Sequence, residues 1–269
     1  MEKTVVEITV VGPDKKGVVA EITNFIFTNS GNIEKINQNV IHDLFGMQLE
    51  ASFQRLDKEN LDLGLKKLAD KLEMEIKTHY QESNRLKNIA ILVSKEEHCL
   101  NRILEANEDD DIFTNIKVII GSSNDLEGIA ERYSIPFYHI KHNDQASAEK
   151  EILEILEEYN VDIIILARYM RILTPNFVWR YPNKIINIHP SILPAFPGAY
   201  AYVQAYERGA KIVGCTAHFV TEDLDQGPII CQNSFKVTEK DTIESIKQKG
   251  QALEAITLLE ALQMVLSDK

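Results

Sequence analysis

Cysteine is scarce in this chain: Cys99, Cys215 and Cys231 are the only three among 269 residues. Their number is odd and no two form a CxxC pair, so neither a disulfide framework nor a zinc ribbon is expected. A reducing, cytoplasmic setting is the expectation that follows. Positive charge is also in deficit, with 29 Lys and Arg against 41 Asp and Glu, for a net charge of −12. Residues 1–84 hold 10 basic and 14 acidic groups, and the remainder is acidic too. Neither part attracts a phosphate backbone by its overall field, which argues against a nucleic-acid partner. Long apolar runs are missing as well. The most apolar central stretch, Val161 to Ala167, contains Asp162 and falls far short of the roughly 20 residues that span a bilayer. The opening Met1-Glu2-Lys3-Thr4 leads into no secretory pattern, so no membrane role is expected.

What is present suits two folded domains, at about 150 residues each. The first segment reads strand, helix, strand, strand, helix, strand. Val5 to Val11 is a β-rich run closed by Gly12-Pro13-Asp14. Val18, Ile22, Phe25 and Ile26 then recur at helical spacing until Ser30-Gly31-Asn32. Ile33 to Ile41 and Leu44 to Phe53 are extended, and Phe45, Met47, Leu49, Ala51 and Phe53 alternate onto one face. Leu61, Leu65, Leu68 and Leu72 line a second helix, and Met74 to His79 closes the unit. This is the pattern of a split βαβ, ferredoxin-like sandwich. The polar stretch Gln81 to Arg85 reads as a linker, which places the domains at residues 1–82 and 83–269.

Beyond the linker the pattern changes. Apolar runs at Ile89–Val93, Ile116–Ile120, Phe137–Ile140, Ile163–Ala167 and Ile185–Ile188 alternate with helical stretches. Short, nearly continuous apolar strands between helices indicate a doubly wound, Rossmann-like parallel sheet. The final 30 residues read as one amphipathic helix through Ile243, Ile246, Leu253, Ile256, Leu259 and Leu266.

In such a sheet, ligands sit beyond the carboxyl ends of the strands. The run Ile185 to Pro194 ends a strand there, and Asn187 and His189 stand two apart, so their side chains share a face. One can donate a neutral hydrogen bond and the other can carry a proton, as a tetrahedral oxyanion requires. His218 lies on a later run, followed by the acidic loop Thr221 to Gly227-Pro228, whose carboxylates can orient a histidine or a water. Taken singly, each signal is more commonly structural: strand-end histidines pack, and loop aspartates cap turns. His139 and His142 read as surface histidines and Glu108 to Asp111 as a solvated turn. Nothing in the pattern calls for a metal.

Taken together, Ala167 to Pro175, Asn187 to Pro194 and His218 to Pro228 resemble the folate-dependent formyltransferase superfamily. The resemblance covers roughly residues 88–236. It implies a catalytic trio of Asn187, His189 and Asp225, with His218 as the second histidine. It also implies a pteridine site among Met170, Ile172, Leu173 and Val220, Arg171 near the benzoyl-glutamate end, and a cis Leu193–Pro194 peptide. The N-terminal unit resembles an ACT domain, a small amino-acid-sensing module. An ACT domain followed by a formyltransferase domain resembles the formyltetrahydrofolate deformylases, as does the run Val93 to Leu100. Pro190, Val203 and Cys231 depart from that family's usual residues.

The resemblance implies hydrolysis of 10-formyltetrahydrofolate to formate and tetrahydrofolate, with no cofactor beyond the substrate. The alternatives are formyl transfer to an amine acceptor and a folate-binding regulator without turnover. The turn Ser94-Lys95-Glu96-Glu97-His98-Cys99 favours water, because it has no glycine to let backbone N–H groups cradle a phosphate and carries two carboxylates. His98 and Cys99 open a helix and are read as packing groups. In the ACT unit, Gly17 at a helix N-terminus, Asp14 and Asn32 are candidate contacts for an amino-acid effector, glycine being the leading one. An exposed sheet edge there predicts a homodimer or homotetramer.

Overall fold

The computed structural model describes residues 3–80, 85–196, 198 and 200–267. Residues 81–84 of the expected linker, and with them the boundary drawn after residue 82, lie outside the described residues. Two compact units emerge: Met1–Arg85 with Thr174–Pro182, and Leu86–Leu173 with Asn183–Lys269.

The first unit runs β1 (Thr4–Pro13), α1 (Val18–Thr28), β2 (Gly31–Ile41), β3 (Leu44–Phe53), α2 (Lys58–Leu72) and β4 (Glu75–Tyr80). Its sheet has the order β2-β3-β1-β4 and is antiparallel throughout. The register sets Val6 against Ala51, Ile8 against Leu49 and Val10 against Met47. These residues pack with Val18, Ile22 and Ile26 of α1 and Leu61, Leu65 and Leu68 of α2. Each of these Val, Leu, Ile and Met side chains, when fully buried, contributes about 1.5–3 kcal/mol. Asp57 caps α2 by accepting the Asn60 N–H at 3.1 Å. Gly17 enters α1 at φ +89°, in the left-handed region where a side chain is disfavoured.

The second unit runs β5 (Lys87–Val93), α3 (His98–Glu108), β6 (Thr114–Gly121), α4 (Glu127–Arg132), β7 (Phe137–His139), α5 (Gln145–Glu158) and β8 (Ile163–Ala167). After α6 (Pro175–Val178), which groups with the first unit, it resumes with β9 (Ile185–His189), α7 (Ala201–Glu207), β10 (Ile212–Phe219), β11 (Ile229–Lys236) and α8 (Ile243–Ser267). The seven strands are ordered β11-β10-β9-β8-β5-β6-β7. Those from β9 to β7 are parallel. The hairpin β10–β11 is antiparallel and has no counterpart among the expected strands. The chain proceeds outward from β5 in both directions, which makes the carboxyl ends of β5 and its neighbours a topological switch point.

Two expectations are corrected. The buried seam of α8 runs through Ile246, Gly250, Glu254, Thr257, Leu258 and Leu262, while Ile256 is 47% exposed. Reading only the apolar residues placed Ile256 on the inner face, but that face holds a carboxylate and a hydroxyl that find partners inside. His142 is half-buried rather than a plain surface histidine. The Tyr169 hydroxyl, held protonated by burial, shares a hydrogen bond with its Nε2 at 2.8 Å.

Candidate active site

The site forms where β9 and β10 run antiparallel. Their register places His218 opposite Asn187 and Thr216 opposite His189. His218 is buried, and its Nδ1 lies 2.9 Å from the Phe219 carbonyl. A carbonyl only accepts, so the proton is assigned to Nδ1. Nε2 is then free to accept from Asn187 Nδ2 at 3.2 Å. One Asn187 amide hydrogen is held by this bond, and the other, with Oδ1, remains for a ligand. Burial depresses the His218 pKa, against opposing effects of the Phe219 carbonyl and the Asp225 charge, which favours the neutral ring. Gly227 supports the arrangement by close approach. A Cβ there would collide with the Phe219 carbonyl that orients His218.

The depressed pKa of His218 has a stability consequence whose sign is fixed. The unfolded histidine binds a proton more readily than the folded one. The His218 contribution is therefore fully present above the unfolded value of about 6.5 and is lost as pH falls through the lower folded value, at up to about 1.4 kcal/mol per pH unit. Urea unfolding between pH 7.5 and pH 5.5 is expected to show a shallower loss for His218→Gln than for the wild type. Equal slopes would remove His218 as the source.

His189, 5% exposed, lies at the end of β9. Its Nδ1 is 3.3 Å from Asp225 Oδ2 and its Nε2 is 3.1 Å from the Phe196 carbonyl. Both neighbours are acceptors, and a neutral ring can donate to only one of them. Both are satisfied when each nitrogen carries a proton. Asp225 also accepts the Gly198 N–H at 3.0 Å and lies 3.9 Å from His218 Nε2. Burial alone would raise the Asp225 carboxyl, but the bonds from His189 and Gly198 and the attraction of the His189 ring outweigh it and hold it below the ordinary aspartate range. Asp225 sits at φ +56°, an uncommon backbone state for a residue other than glycine. Arg168 and Tyr200 in the cavity wall, and Phe196 whose carbonyl meets His189, share that left-handed state, a clustering of backbone strain typical of functional sites.

The loop after β9 is tied down by Thr216, whose buried hydroxyl accepts from the Leu193 N–H at 2.9 Å and donates to the Ser191 carbonyl at 2.7 Å. Gln232 of β11 donates to the same hydroxyl and to the Leu193 carbonyl, each at 2.9 Å. The Leu193–Pro194 peptide is cis.

A cavity of about 270 Å³ opens over these groups. Asn187, His189, His218 and Asp225 line it, together with Met170, Arg171, Ile172, Leu173 and Val220. Met170 and Ile172 are 61% and 65% exposed, so the wall offers apolar surface to a ligand. Tyr200 and Leu224 also line the cavity and were not picked out from sequence. Their signal was their place in loops flanking Asp225, which composition alone does not distinguish from any other loop. Asp14, Gly17 and Asn32 lie in the other unit. Asp14 and Asn32 are exposed there, and Asn32 donates to Glu34 at 3.1 Å.

Beside the cavity, Arg168 makes a two-point ion pair with Glu96, Nε to Oε2 at 2.9 Å and Nη2 to Oε1 at 3.2 Å. This pair occupies the turn after β5, where a phosphate cradle would need bare backbone. Cys99 behind it is buried, and burial pushes its thiol well above the ordinary range, so it is not a thiolate nucleophile.

Comparison with known proteins agrees with this architecture in both units. Residues 87–262 match the formyl transferase family model and residues 4–79 match the ACT domain model. A formyltetrahydrofolate deformylase of Bacillus subtilis is 39% identical over 264 residues, covering 96% of this chain and 87% of that protein. The crystal structure of a formyltetrahydrofolate deformylase from Pseudomonas syringae pv. tomato superposes with a TM-score of 0.68 at 31% identity, covering 100% of this chain and 91% of that one. The crystal structure of glycinamide ribonucleotide transformylase 1 from Symbiobacterium toebii gives a TM-score of 0.64 at 35% identity, but covers only 68% of this chain and 88% of its own. Among the described residues, no helix is long and apolar enough to cross a membrane.

Proposed function

The chain belongs to the formyltetrahydrofolate deformylase family, and from that premise we propose that it hydrolyses 10-formyltetrahydrofolate to formate and tetrahydrofolate at the cavity over Asn187, His189, His218 and Asp225. The observation that carries the reading is the convergence of a carboxylate, a proton-bearing imidazole and a free amide N–H on one cavity.

The folate lies along the apolar wall of Met170, Ile172, Leu173 and Val220, with Arg171 towards its carboxylate end. The Asp225 carboxylate orients a water and takes its proton as the oxygen bonds to the formyl carbon. The carbonyl oxygen becomes an oxyanion, stabilised by the free N–H of Asn187 and by the positive charge of the doubly protonated His189 ring beside it. When the carbon–nitrogen bond breaks, N10 takes the proton that Asp225 accepted, which restores the carboxylate, and formate and tetrahydrofolate leave. His218 acts on Asn187: its Nε2 fixes the amide rotamer so that an N–H faces the substrate. The formyl donor is itself the substrate, and the scheme calls for no resident cofactor. Formate released from 10-formyltetrahydrofolate by the purified chain, without any added acceptor, is the direct assay. Release only when an amine is supplied would favour the transferase.

The ACT unit is the regulatory part of this reading. The turn at Asp14 to Gly17 offers N–H groups to the carboxylate of an amino acid, Asp14 faces its ammonium group, and Asn32 adds a polar contact. Strand β2 supports assembly into a homodimer or homotetramer, because it is a sheet edge with Ile36 and Val40 exposed by 41% and 40%. The three cysteines are free thiols, which suits a cytoplasmic setting. Sedimentation of the full chain, with melting followed in the presence of glycine, tests both statements: a monomer contradicts the first and an unmoved transition the second.

A further inference from the structure

Glu254 has no place in the hydrolytic scheme, yet it is fully buried in the middle of α8. An ionised carboxylate at such depth is strongly disfavoured unless every side of it is met. Here it is met on both oxygens. Oε1 accepts the Tyr202 hydroxyl at 2.6 Å, and Oε2 faces His98 Nε2 at 3.1 Å and Arg168 Nε at 3.4 Å. Gly250, one turn earlier on α8, leaves room for the Tyr202 ring, since a Cβ there would strike its hydroxyl end. Burial weakens the Arg168 charge, but Glu254 and Glu96 more than offset this and keep the guanidinium firmly protonated.

The cluster is not needed merely to fill space. Well-packed apolar residues in place of a buried ion pair are often neutral or stabilising. A metal site is the obvious alternative, because His98, Cys99 and Glu254 bring donor atoms within 4.8 Å of one another. However, the carboxylate is already held by a phenol, and the guanidinium on its other side sets a fixed positive charge where a cation would have to sit.

What distinguishes Glu254 is where two of its three partners, Arg168 and Tyr202, lead. Arg168 begins the cavity wall that continues through Met170, Ile172 and Leu173, and it holds a left-handed backbone state at φ +59°. Tyr202 lies in the first turn of α7. Four residues earlier, Gly198 donates its N–H to Asp225. One buried carboxylate therefore anchors both the folate-facing wall and the segment that holds the water-activating aspartate.

We propose that Glu254 is a positioning residue that sets the two walls of the hydrolytic site together, through Arg168 on the folate side and through Tyr202 on the Asp225 side. The inference rests on the hydrolase reading and deepens it. The two arms have different kinetic signatures. Misplacing Asp225 slows the chemical step, whereas loosening the Arg168 wall weakens folate binding.

The test measures formate release by the full-length chain as wild type, Tyr202→Phe and Glu254→Gln, each with its melting temperature. Tyr202→Phe cuts only the Asp225 arm, and kcat is expected to fall at least about tenfold with KM within about twofold, as a small misplacement of a reacting group does. Glu254→Gln keeps an acceptor for Tyr202 but turns an uncharged amide donor towards Arg168, so it cuts the Arg168 arm, and KM is expected to rise at least about fivefold with a smaller effect on kcat. A lower melting temperature with unchanged kcat and KM in Tyr202→Phe overturns the proposal, because a purely structural role gives that result. If Glu254→Gln fails to fold, the conservative Tyr202→Phe decides alone. A wild type that releases no formate overturns the hydrolase reading together with the inference. An active wild type whose variants match it overturns the inference only.

Discussion

Asp225→Ala is expected to lower turnover by on the order of 100-fold or more, with a much smaller change in folate affinity. Asp225 Oδ2 lies 3.3 Å from His189 Nδ1 and accepts the Gly198 N–H at 3.0 Å, which leaves Oδ1 on the side of His218 and the cavity. Removing the carboxylate takes away the proton acceptor and leaves the His189 Nδ1 proton without its partner, so two functions fail in one substitution. His189→Ala should cost a similar factor. The double variant should be little worse than the more damaged single one, because groups that act as a unit are not additive. Steady-state formate release by the three proteins checks this. Near-normal turnover of Asp225→Ala would remove the carboxylate from the mechanism.

Glycinamide ribonucleotide is expected to remain unformylated even at high concentration, and formate release is expected to be unchanged by its presence. A phosphorylated acceptor needs backbone N–H groups brought close to its oxygens, usually by glycines at a helix N-terminus. At the end of β5 this chain has Ser94-Lys95-Glu96-Glu97 instead. Glu96 is locked in a two-point pair with Arg168, 2.9 Å and 3.2 Å long, and Glu97 precedes α3 directly. An incoming phosphate would meet carboxylates and have to break that pair. Water needs no such site. A coupled assay showing robust transfer to glycinamide ribonucleotide would reverse the assignment between the two activities.

Much of the fold was legible because it follows from simple periodicities. Phe45, Met47, Leu49, Ala51 and Phe53 alternate, and all five are buried on the inner face of β3. Val18, Ile22 and Ile26 recur every four residues and are buried together in α1. Asn187 and His189 were placed on one face by parity, and both line the cavity. The β10–β11 hairpin was not legible for an equally physical reason. Its inner positions include Thr216 and His218, polar groups buried because they hold the loop and the site, so no apolar run announces the strand. Glu254 was missed in the same way: a carboxylate inside a helical apolar pattern reads as an interruption until Tyr202 and Arg168 are seen to converge on it. Nor does local pattern reveal that Thr174–Pro182 groups with the first unit, where Trp179 packs over Gly46 and Arg180 pairs with Glu75, 105 residues away in sequence, at 2.6 Å.

The central claim is that the cavity over Asn187, His189 and Asp225 delivers water to the formyl carbon. Turnover of 10-formyltetrahydrofolate in isotopically labelled water, with the formate analysed by mass spectrometry, tests it most directly. The account predicts formate carrying a solvent-derived oxygen in the wild type, at a rate that collapses in Asp225→Ala. Formate without solvent oxygen, or a formyl group appearing on an amine while no formate forms, would contradict it.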